Sequence, residues 1–75
     1  MDLEWREYVL SDVFVFMTEI GQRDRYSRQF LSQGQTLLEN LQKMEAEFPG
    51  SYCDTVASMA AMVAYVADRI KEEEK

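Results

Sequence analysis

Cys53, fourteen carboxylates and the arginine cluster Arg23, Arg25 and Arg28 are the side chains of this 75-residue sequence with chemistry to offer. A cysteine attacks as its thiolate, and a helix N-terminus favours that form. Cys53 stands two residues after Ser51, where a helix is expected to start. The chain has no histidine to take the thiol proton, and Asp54 opposes ionisation, so Cys53 reads as a half-buried small hydrophobe. A single cysteine allows no internal disulfide and, with no histidine, no four-ligand cysteine/histidine zinc site.

The carboxylates need partners to do acid–base or metal chemistry. Di-iron sites in helical bundles use Glu-x-x-His pairs, which this sequence cannot form, and no Asp-x-Asp-x-Asp-Gly calcium loop is present. Glu45 and Glu47 fall on different helix faces. Asp12 and Glu19, seven apart, share one flank of the first helix and are placed to pair with arginine. No catalytic residue, cofactor site or metal site is therefore expected, and the chain reads as a non-enzyme.

Arg23, Arg25 and Arg28 crowd the start of the second helix, where the macrodipole disfavours positive charge. They can clamp an anion or an acidic partner, or pair with Glu19 and with Glu72, Glu73 and Glu74 at the same end of the fold. The tail 71–75 reads as a solvated helix end.

Two punctuation points, Gly21 and Phe48-Pro49-Gly50-Ser51, divide the chain into three segments of helical periodicity, about 3–20, 25–47 and 52–72. Pro49 stops a helix, Gly50 suits a left-handed turn, and Ser51 with Asp54 resembles a capping box. Gly21 is the expected C′ residue of helix 1, and Asp24 the expected N-cap of helix 2.

Phe30, Gly34, Leu37, Leu41, Met44 and Phe48 recur at spacings 4-3-4-3-4. Tyr52, Val56, Met59, Val63, Val66 and Ile70 repeat the same spacings. Paired antiparallel about the Pro-Gly turn they form six layers, from Phe48/Tyr52 to Phe30/Ile70, which predicts a coiled-coil-like helical hairpin. Gly34 costs about 1 kcal/mol in helix propensity relative to alanine; either it is a tolerated weak point, or admitting a bulky side chain from helix 1 or from a second subunit offsets the loss. Ala57, Ala60, Ala61, Ala64 and Ala67 offer a small-residue side of helix 3 on which helix 1 is expected to lie.

Helix 1 holds 11 apolar residues among positions 3–20, and at about 100° per residue they cover an arc of roughly 260°. A helix packed on a hairpin needs a stripe little wider than about 100°. The excess predicts association through Trp5, Tyr8, Phe14 and Val15, joined by Met62 and Tyr65, which fall off the hairpin seam. A strand over Val13-Phe14-Val15-Phe16 is the competing reading, and it would have no partner within the chain. Of the five methionines, Met44 and Met59 fill the seam, while Met1, Met17 and Met62 add adaptable apolar surface.

The expected architecture is all-α in a single domain, residues 1–75: a hairpin plus an N-terminal helix, as a three-helix bundle or a helical dimer. A lone core of this size contributes at most about 3–5 kcal/mol net, so association is expected. A net charge of −6 makes nucleic acid and anionic membranes poor partners. The lone cysteine predicts a reducing, cytoplasmic setting; no basic n-region suggests a secretory signal, and no 18-residue apolar run spans a membrane. The expected function is protein–protein interaction: a small acidic adaptor, chaperone-like subunit or inhibitor that binds a partner or itself, with a dimer as the favoured oligomer. The alternative is a regulator of nucleic-acid machinery, acting by acidic mimicry or through the Arg23/Arg25/Arg28 patch. No small-molecule substrate is expected.

Overall fold

Three helices, α1 (Leu3–Gln22), α2 (Arg28–Glu47) and α3 (Cys53–Glu73), make up a computed structural model that describes residues 3–74. Met1, Asp2 and Lys75 lie outside the described residues. The two heptad-spaced stripes meet as their spacing requires. Phe30, Gly34, Leu41 and Met44 of α2 and Met59, Val63, Val66 and Ile70 of α3 are buried, with Leu37, Val56 and Tyr52 half-buried against them. Leu41, Met44, Met59 and Val66 are fully enclosed, each gaining about 1.5–3 kcal/mol from leaving water. At the open end Arg28 forms an ion pair with Glu74, where the layer count puts residues 26–28 relative to 72–74.

The hairpin turn departs from its expected chemistry in one respect. Gly50 adopts φ +87°, the left-handed conformation that glycine takes without a Cβ penalty. Ser51 does not cap α3, which begins at Cys53 behind Tyr52 with no side-chain cap. The Glu45 carboxylate reaches across the turn instead and accepts the backbone N–H groups of Gly50 and of Tyr52, the latter at 2.7 Å. An ionised acceptor serving two donors is stronger than one serine hydroxyl.

The first connection also differs from expectation. Gly21 stays inside α1, and Ser27 rather than Asp24 is the N-cap of α2, its Oγ accepting the Phe30 N–H at 3.1 Å. The chain stays non-helical through residues 23–27 because Tyr26 is drawn into the core. Its hydroxyl donates to the Ile20 carbonyl at 2.8 Å, one of the last-turn carbonyls that α1 leaves without a helical partner.

Val13–Phe16 lies within α1 as helix, not strand. This helix buries Val9, Val13, Phe16 and Ile20, a 4-3-4 stripe that enters the hairpin groove. The tip of the Phe16 ring abuts Gly34: a Cβ built there would sit 2.9 Å from Phe16 Cε2, 3.1 Å from Cε1 and closer still to Cζ. The ring stacks on Phe30 at 4.5 Å between centroids, and Phe30 stacks on Tyr26 at 5.6 Å.

The alanine side of α3 is not where α1 packs. Ala57, Ala60, Ala61 and Ala64 are exposed, and α1 touches α2 more extensively than α3. The physical reason is the size of Phe16. A glycine in the seam of α2 receives a whole ring, whereas the alanines point away from the seam at about 100° per residue. The resulting rod is 41 Å long and 18 × 17 Å across, so each helix keeps an outward face.

Candidate interaction surface

The apolar arc of α1 divides into three sets. Val9, Val13, Phe16 and Ile20 are buried; Trp5, Leu10 and Met17 are half-buried against the core; Leu3, Tyr8, Phe14 and Val15 are exposed, at 61%, 64%, 72% and 49%. The core stripe is thus complete without the last four. Among the acids of this helix, Glu4, Glu7 and Asp12 are exposed between or beside them. The one base in α1, Arg6, turns inward. Its guanidinium lies 4.1 Å from the Phe48 ring centroid and donates to the Tyr52 hydroxyl at 3.0 Å, which ties the N-terminal turn of α1 to the hairpin turn.

The outer face has two flanks. Toward α3, Phe14 stands with Leu10 and Met17 above Thr55 and Ser58, over a furrow of about 290 Å³. Toward α2, Val15 stands with Asp12 and Glu19 over a larger groove of about 540 Å³. Tyr8 falls on this second flank, about 20° from Val15 around the helix. Of the six residues expected to mediate association, Tyr8, Phe14, Val15 and Tyr65 are exposed, and Trp5 and Met62 are half-buried in contact with the core. They surround the outer face of α1 rather than forming one contiguous patch: Met62 and Tyr65 lie by Ile20 and Arg69 at the far end.

The arginines are largely committed within the chain. Arg23 pairs with Glu19 at 3.0 Å and lies 4.4 Å from the Phe30 centroid. Arg28 pairs with Glu74. Arg25 is exposed and forms no ion pair or hydrogen bond among the described residues. Sequence reading passed over Arg69, which donates to the Tyr65 hydroxyl at 2.8 Å and to the Asp24 carbonyl at 3.4 Å. That hydrogen bond with Tyr65 holds the Arg69 pKa above its ordinary value. Burial raises the Tyr26 phenol, and the neighbouring Tyr65 adds to the rise.

Cys53 is exposed rather than half-buried, because it opens α3 on the side away from the seam; its thiol points at the Gly50 carbonyl, 3.9 Å away. Among the described residues no three histidine, cysteine or acidic side chains gather as a metal site, and no helix is long and apolar enough to cross a membrane. Comparison with protein-family models, curated proteins and solved structures gives no match.

Proposed function

We propose that this chain is a non-enzymatic protein–protein interaction module, a small acidic adaptor, chaperone-like subunit or inhibitor of a reducing cytoplasmic setting. The contact surface is the outer face of α1. One observation carries the reading: Phe14, the most exposed large apolar side chain at 72%, belongs to a helix that has already filled its place in the core. Leu3, Tyr8 and Val15 extend the same condition along the helix. Apolar area removed from water contributes about 25 cal/mol per Å², so covering these side chains favours association. Aromatic residues that nothing covers in the single chain are the usual anchors of an interface.

Glutamate substitutions test this reading. Tyr8→Glu, Phe14→Glu and Val15→Glu should each abolish association, read as solution mass or as partner binding, and leave helicity intact. Loss of helicity in these variants would show instead that the residues belong to the core.

A further inference from the structure

The groove between α1 and α2 has walls spaced for a helix. On α1, Tyr8, Asp12, Val15 and Glu19 stand at spacings 4-3-4 along one flank, and the last three line the groove. On α2, Gln29, Gln33, Thr36 and Asn40 repeat 4-3-4 on the opposite wall. Two antiparallel helices with matched stripes of this kind offer the ridges between which a further helix packs. The floor is apolar, from Val15 and the half-buried Leu37. Along α2, from Gln29 to Asn40, the groove runs about 16 Å, or three helical turns.

Charge decides what occupies it. The α1 wall carries Asp12 and Glu19, and the α2 stripe is uncharged. Glu19 is held by Arg23 in an exposed pair, a weak bond that an incoming cation can replace. A second copy of the chain is a poor occupant. Its outer α1 face bears Glu4, Glu7 and Asp12 while Arg6 points inward, so two such faces carry like charge and no outward α1 base to offset it.

We infer that the α1–α2 groove binds an amphipathic helix of another protein, with apolar residues on Val15 and Leu37 and lysine or arginine at positions i and i+7 against Asp12 and Glu19. Docking converts the three-helix bundle into a four-helix one. This rests on the interaction reading above and names the partner's chemistry.

The test is selection, on the full chain, from a display library of helical peptides about five turns long, apolar at heptad spacing and random elsewhere. Light scattering is run on the same protein. Expected binders carry two bases seven residues apart, lose affinity as salt rises, and bind the Asp12→Lys/Glu19→Lys variant about tenfold or more weakly. Uncharged or acidic binders, or equal affinity for the variant, would overturn the charge assignment and leave the interaction reading standing. No binders together with a wild-type dimer that Val15→Glu dissociates would show that a second copy is the occupant. No binders and an unaltered monomer would overturn both. Binding of a DNA oligonucleotide that competes with the selected peptides would replace the protein partner with nucleic acid.

Discussion

Replacing Gly34 with alanine sets two known effects against each other at one atom. Helix propensity alone favours alanine by about 1 kcal/mol. The added methyl would fall within 3.1 Å of two Phe16 ring carbons and closer to a third. The ring cannot easily retreat, because it is buried and stacked on Phe30, itself backed by Tyr26. Overpacking of this kind costs about 1–3 kcal/mol, so the net effect is destabilising by about 1 kcal/mol, a fall in Tm of about 4–8 °C for a domain of this size. Gly21→Ala is the internal control: it is helical, with nothing within 4 Å of an added Cβ, and should stabilise by about 0.5 kcal/mol. Thermal unfolding followed by far-UV circular dichroism reads both. Phe16→Leu should suppress the loss in a double-mutant cycle with Gly34→Ala, since the two residues share the contact. A Gly34→Ala protein as stable as Gly21→Ala would refute the seating of Phe16 on glycine, and with it the placement of α1.

Tyr26→Phe leaves the Ile20 carbonyl without its donor and should cost about 1–2 kcal/mol by urea unfolding. Burial raises the Tyr26 phenol, so its contribution is complete below the ordinary phenol value of about 10 and is lost as pH rises through its raised value; wild type should weaken in that alkaline range and Tyr26→Phe should weaken less. Glu45→Ala removes the acceptor of two backbone N–H groups in the hairpin turn and should destabilise by about 1–2 kcal/mol, with Glu45→Gln intermediate. Arg28→Ala, which breaks an exposed pair, should change stability by less than about 1 kcal/mol in the same assay.

The hairpin was readable because both of its helices repeat a single spacing, and register in such a pair follows from arithmetic on the apolar positions. Gly34 was readable only as an alternative, a tolerated weak point in the seam or a place for a bulky side chain from helix 1 or a second subunit, because helix propensity alone does not say what offsets its cost. Its occupant, Phe16, needed the structure, since eleven apolar residues around α1 leave the buried side underdetermined. The misplaced caps share a physical origin. Ser27 and Glu45 act because Tyr26 and the Pro-Gly turn fix the chain path, and those are tertiary facts that no local cap signal records. The alanines of α3 misled because small size permits close packing without requiring it. In the candidate surface, the excess of apolar residues on α1 was visible in the sequence, but its division into two flanks was not. That division depends on which groove the helix enters.

On the proposed function, the outer residues of α1 serve association and not the fold. Its most direct test compares the wild-type chain with Tyr8→Gln/Phe14→Gln/Val15→Gln, measuring the unfolding midpoint and the binding of a second copy or of a selected helical peptide on the same samples. An unchanged midpoint under monomeric conditions and loss of binding are expected. A variant that unfolds several degrees early, or one that binds as the wild type does, would contradict that function.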